Sequence, residues 1–496
     1  MRTGGSHDLA AATLAWGFSL AALSVPSSAI ALSIAITPTS DHPNAKIGVI
    51  GSGFSANAAI DIYFDTTDEL LVFADANGRF TKRTFNVTTD ALPGQHWVSA
   101  LERDNGKGSQ RSFTVTTIWA EHGFRASGKR FNPYENILSA ANANRLDVAW
   151  AAPTGNFVWS SPVVANGIVY AGSDDKRLYA LDTATGSTLW MTNVGVPFEN
   201  AAAVANGILY VAALGTLYAF DAATGTQKWS VLIGVGAGSY SSPVIANGVV
   251  YVGSYDGNLY AYDANSGASK WNATTGNEIT SSPAVANGLV YAGSLDGKVY
   301  AWNATTGANV WATPLNQQQP PQIYSSPAIA DGRLFIGAHD SKLYALNANS
   351  GAILWSAATG QQIDVSSPAT AYGMVFVGSF DGKLYAYKAS NGALAWSATT
   401  GGAVNSSPEV ANNTVYVGSG DGNFYAYDVN SGNQLLNAAT GGPITTSSPA
   451  ISDGMVFVGS LDQSIYAYAL DGGNNVAYKN RRTQPPRLQR YTPTSI

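Results

Sequence analysis

The chain has 496 residues, of which 45% are hydrophobic and only 12% charged, with 52 Gly, 25 Tyr, 12 Trp and a formal net charge of −6. Its length calls for more than one domain, its glycine and aromatic content favours strands and turns over helices, and its acidic balance excludes nucleic-acid binding. The lack of any cysteine excludes disulfides, thiolate metal sites, covalent haem attachment and a lipid-anchored cysteine.

Residues 1–31 read as a signal peptide. Arg2 gives a thin positive start, Leu9 to Leu23 is apolar, and Ala29 and Ala31 form a small-residue cleavage pattern. The stretch is too short and too rich in Ala and Ser for a stable membrane span, so the expected location is periplasmic, cell-surface or secreted. Residues 32–117 alternate in short segments such as KIGVIGSGF, IDIYF and RSFTVTT, separated by Gly, Pro and Asn turns. That pattern predicts an immunoglobulin-like β-sandwich without a disulfide, and GSGF and DANGRF resemble bacterial surface modules of that kind. Residues 118–145 mix aromatic and polar side chains and are expected to be a linker packed along the flank of the next domain.

From residue 160 one sentence repeats, as in SSPAVANGLVYAGSLDGKVYAWNATTGANVW. Its prolines fall at Pro162, Pro243, Pro283, Pro327, Pro368, Pro408 and Pro449, and the double first gap is filled around Ala203, which makes eight copies. Each copy holds four short alternating segments divided by Asn-Gly or Asp-Gly, by a second Asp-containing turn, and by Thr-Gly or Ser-Gly. Four antiparallel strands in a fixed period predict an all-β, eight-bladed β-propeller over residues 146–478. Trp150, Trp190, Trp229, Trp271, Trp311, Trp355 and Trp396 recur on the fourth segment, where they are structural, filling the wedge between neighbouring blades. The last copy has three clear strands. Residues 146–151 are expected to supply its fourth, with the segment around 476–478 as the rival. Residues 479–496 carry five basic residues among prolines and read as a disordered basic tail.

The recurring form seen in LYALDTATGSTLW resembles the tryptophan-docking repeat of pyrroloquinoline-quinone-type propellers. The resemblance implies the fold. It leaves two functional branches, quinone-dependent dehydrogenases and a non-catalytic propeller that helps assemble outer-membrane barrels. The dehydrogenases carry a vicinal cysteine pair and a calcium site, and this chain has no cysteine. The expectation is therefore the non-dehydrogenase branch: a monomeric binding or scaffold protein, no enzyme, with no catalytic residue, no metal and no cofactor. The alternative is an oxidoreductase, the one case in which the quinone and calcium would enter. Partners are expected to be a protein or a cell-surface polysaccharide. The residues preceding each SSP element differ where the rest repeats, which picks out a channel rim with Trp159, Phe198, Tyr240, Tyr324, His339 and Asn405 as candidate binding residues. Phe157, Glu199 and the insertion Gln317–Gln322 are expected beside them.

Overall fold

The computed structural model describes residues 31–234 and 240–473. The signal peptide, the rival strand at 476–478 and the basic tail lie outside the described residues. Every extended element described is a β-strand, and two 3-10 turns at Ala143–Arg145 and Asp471–Gly473 are the helical elements among the described residues.

The first unit places a three-stranded sheet (Ser33–Thr37, Lys46–Ser52, Phe80–Asn86) against a five-stranded one that includes Ala59–Phe64, Gly94–Glu102 and Gly108–Val115. Inward residues at alternate positions, among them Ile47, Val49, Ile60, Ile62, Val98 and Phe113, share one core.

The repeats form a β-propeller. In one copy Ala284–Ala286, Leu289–Gly293, Lys298–Asn303 and Asn309–Pro314 make a four-stranded antiparallel sheet; among the described residues seven sheets have this form, and in an eighth Phe131–Asn132 adds a fifth strand, parallel to the inner one. The strand Leu146–Pro153 takes the outer place in the last sheet by pairing with Ser464–Leu470, so the two ends of the repeat region share one sheet and its open edge is covered.

Two sequence signals become specific bonds here. Each docking tryptophan reaches into the next sheet: Trp150 Nε1 donates to the Thr183 carbonyl at 3.0 Å, Trp271 to Ala304 at 3.1 Å and Trp396 to Val429 at 2.9 Å. The Thr-Gly turn of that next sheet lies on the indole. A Cβ at Gly307 would stand 2.7 Å from the Trp271 ring, and its φ of +72° suits glycine. The seventh copy carries Leu436 in this place, still buried.

The SSP element is a double latch. Its first serine accepts an amide N–H from its own sheet, as in Gly293 to Ser281 at 2.9 Å. Its second serine accepts the amide N–H of the preceding sheet: Ser242 to Ser282, Ser282 to Ser326 and Ser326 to Ser367, each at 2.9 Å. The ring closes where the Ser448 N–H donates to Ser161 Oγ, also at 2.9 Å. Ser161 itself faces Ala201, which has no hydroxyl to offer.

The expected flank packing of residues 118–145 is corrected by the structure. Residues 119–132 cross the bore of the ring as a strap, because the inner strands leave one backbone N–H each unpaired toward the axis and such groups need a partner. The strap supplies acceptors in ring order. Val164 donates to the Trp119 carbonyl at 2.7 Å, Val204 to Ala120 at 2.7 Å, Val285 to Ala126 at 2.6 Å, and Ile329 to Ser127 at 2.9 Å. Thr370 then donates to Lys129 and Val410 to Arg130, both at 2.9 Å. The gap at the third sheet is filled by a side chain, since the Ile245 N–H bonds the Glu121 carboxyl. Asn132 Nδ2 joins the two ends of the turn by donating to Thr117 O at 3.1 Å and to Ile451 O at 2.9 Å. One short segment therefore touches every sheet.

Candidate functional site

The strap carries ionisable groups into the bore. Arg130, 2% exposed, donates to Glu409 at 3.2 Å and, through Nη2, to His122 Nε2 at 2.8 Å. Arginine has only donors, so His122 Nε2 is the acceptor and its ring proton sits on Nδ1. Burial, reinforced by Arg130, holds the His122 pKa well below its usual value, so this ring is neutral. Burial also pushes Glu121 up to about 8, against the lowering effect of the Ile245 N–H.

Beyond the strap the bore opens into a cup of about 680 Å³. His122 lines it, so the strap is its floor. The walls come from the residues just before each SSP element, where the chain crosses from one sheet to the next. Trp159, Tyr240 and Tyr324 are three of these, and His339 joins them from a second turn. Trp159 Nε1 donates to Asp174 Oδ2 at 2.8 Å, and Phe157 meets its ring edge-on at 6.2 Å. Tyr324 stacks on His339 with centroids 4.6 Å apart, and His339 Nε2 lies 2.9 Å from Asp364 Oδ1. Tyr240, 54% exposed, packs on Tyr255 at 5.5 Å and hydrogen-bonds Glu199.

Burial raises the Asp174 pKa despite its Trp159 bond, with Asp175 adding to the rise. Burial likewise raises Glu199, where the Tyr240 bond opposes and Asp174 adds. Two carboxylic acids thus sit side by side in an aromatic-walled recess, each with a heightened affinity for protons.

The structure brings Trp159, Tyr240, Tyr324 and His339 together, with Phe157 and Glu199. It does not bring Phe198, which is 0% exposed and part of the core between the first two sheets; it packs against Gly172 as Ile279 does against Gly253 and Ile323 against Gly293 in other copies, so it holds an inward apolar place of the repeat. Asn405 is half-buried and outside the cup lining. The insertion at 317–322 is also outside the lining, with Pro320 against Gly297 of the preceding sheet. Sequence reading missed Asp174, Asp364 and His122. Asp174 had a signal: it precedes the turn aspartate at a place filled by Tyr255, Leu295, His339 and Phe380 in other copies.

Repeated four-stranded sheets joined by docked tryptophans are those of a pyrroloquinoline-quinone-type repeat propeller. The family profile described as outer membrane protein assembly factor BamB matches residues 97–278, 213–363, 256–403 and 361–492, and the chain belongs to that family of repeats. It is 30% identical over 93 residues, 18% of this chain and 13% of the relative, to the 1-butanol dehydrogenase (cytochrome c) of Thauera butanivorans. It is 26% identical over 122 residues, 20% of this chain and 31% of the relative, to the outer membrane protein assembly factor BamB of Salmonella typhimurium. The chain thus spans less than a third of the length of either curated relative. The quinohemoprotein alcohol dehydrogenase from Comamonas testosteroni superimposes with a TM-score of 0.63 at 17% identity, covering 72% of this chain and 81% of that one.

These relatives correct two expectations. A chain without enzymatic activity and without a cofactor is contradicted by its similarity to dehydrogenases, one of them named for its quinone and haem. No helix among the described residues is long and apolar enough to cross a membrane.

Proposed function

We propose that this chain is an oxidoreductase whose active site is the cup at the channel mouth. The observation that carries the reading is the cup itself: a recess closed by the strap, walled by Trp159, Tyr240 and Tyr324, and holding Asp174 and Glu199 with raised proton affinity. Its volume of about 680 Å³ lies in the range of cofactor and substrate pockets. The flat ring of a quinone fits between such walls by stacking, and when bound it supplies a two-electron acceptor. Among the described residues no group of three or more His, Cys, Asp or Glu converges. The chain's own part is to hold the ring with Trp159 and Tyr324, keep water from the floor with the strap, and take a proton on Asp174 or Glu199.

The proposal includes an eight-bladed propeller at 146–478 behind an immunoglobulin-like module at 32–117, in an exported protein. Exposed Phe157 and Tyr240, and the likeness to an assembly factor, support a second use of the same mouth in docking a protein. Titration of the full chain with pyrroloquinoline quinone, with and without calcium, and with uncharged menadione tests the main reading. Saturable fluorescence quenching by either quinone, absent in Trp159→Ala, with dye reduction on adding a substrate, is expected; no quenching by either would remove it.

A further inference from the structure

The sign of the charge inside the cup narrows what it accepts. Its lining holds Asp174, Glu199 and Asp364 and no lysine or arginine. Asp364 Oδ1 is hydrogen-bonded with His339 Nε2 at 2.9 Å. Arg130 beneath the floor is matched by Glu409 at 3.2 Å and spends a further N–H on neutral His122. Asp174 and Glu199 are left without a cationic partner.

Asp174 is also incompletely bonded. Its Oδ2 accepts from Trp159, but its Oδ1 is buried with no hydrogen-bond partner among the described residues. A buried carboxylate oxygen in that state is costly, and a donor arriving with the ligand would relieve it. The rings around it make the same demand. Aromatic faces attract cations through their quadrupole, and Trp, Tyr and Tyr line one recess here. An anionic ligand would meet two unmatched carboxylates; a neutral alcohol would satisfy Asp174 Oδ1 but gain no cation–π attraction from the faces.

We infer that the substrate of the cup is an organic cation, an aromatic or alkyl primary ammonium, held with its nitrogen at Asp174 and Glu199 and its carbon chain against Tyr240, beside the ring-holding Trp159 and Tyr324. This rests on the cup being the site proposed above. It also separates this mouth from an alcohol-oxidising one, since discrimination comes from fixed charge rather than from shape.

The test is a fluorescence and calorimetric titration of the full chain with three probes of one shape: 2-phenylethylamine, 2-phenylethanol and phenylacetate. The amine is expected to bind at least tenfold more tightly than either of the others. The double variant Asp174→Asn, Glu199→Gln should bring amine and alcohol within threefold, and Trp159→Ala should weaken the amine by about tenfold while its thermal melt stays within a few degrees of the parent. Equal binding of amine and alcohol, or tighter binding of phenylacetate, would overturn the inference. Amine binding without quinone binding would leave it standing and remove the oxidoreductase reading; quinone binding with alcohol preferred would do the reverse.

Discussion

The two ends of the channel are made by the same ring of sheets and are physically opposite. At the strapped end, backbone amides of successive inner strands meet the carbonyls of residues 119–130, and the ionisable side chains there, Glu121, Arg130 and Glu409, are almost without exposure. At the mouth, the chain crossings present rings and carboxylates with open valences, and Tyr240 stands 54% exposed. A repeat dictates both ends equally, so the difference comes from what is not repeated: one strap, and the single positions before each SSP element. The backbone bonding of the inner strands is concentrated on the strap, and the exposed aromatic groups lie where the copies differ before each SSP element.

The contrast can be broken most severely at the strap. Arg130→Met leaves Glu409 buried without its cation and is expected to cost about 3–5 kcal/mol in urea denaturation; a cost near zero would mean that the strap does not hold the ring. Glu121 gives the strap a pH dependence. Its folded pKa of about 8 lies above the ordinary 4.5, so its contribution is complete below that ordinary value and is lost as pH rises through 8. The melting temperature should fall between pH 6 and 9, and Glu121→Gln, which keeps an acceptor for the Ile245 N–H, should flatten that fall.

Smaller effects belong to the latch. Ser326→Ala strips the acceptor from the Ser282 N–H and should cost about 1–3 kcal/mol. Ala201→Ser restores the one missing hydroxyl, opposite Ser161, and should add about 0.5–1.5 kcal/mol, both read as shifts in the urea midpoint. Smallest of all, Tyr240→Ser at the mouth should move stability by no more than about 0.5 kcal/mol while weakening ligand binding measurably by fluorescence.

The propeller was legible because its period is written in residues with one physical use each: Asn-Gly and Asp-Gly for turns, Trp for docking, alternation for two-sided strands. Even there, SSP served as a landmark, and its meaning as a latch needed the neighbouring sheet, whose partner serine lies some forty residues away, as Ser282 does from Ser242. The strap was not legible. Its bonds run from carbonyls, which every residue has, so the sequence of 119–132 carries no periodic mark. The cup was half legible. Variation among copies pointed to Trp159, Tyr240 and Tyr324, but Phe198 stands one residue earlier, at the inward place filled by Val158, Ile279 and Ile323 in other copies, and packs against Gly172 in the core. The chemistry was misjudged for a related reason: the missing cysteines exclude one dehydrogenase arrangement, not the class, and several of the relatives are dehydrogenases.

Hydrogen–deuterium exchange of the full chain, with and without 2-phenylethylamine, tests the contrast most directly. The account predicts that the amides of Val164, Val204, Val285, Ile329, Thr370 and Val410 exchange only with global unfolding, whereas those of Trp159, Tyr240 and Asp364 at the mouth exchange quickly and slow when the amine binds. Rapid exchange of those inner-strand amides, or ligand protection that spares the mouth, would contradict it.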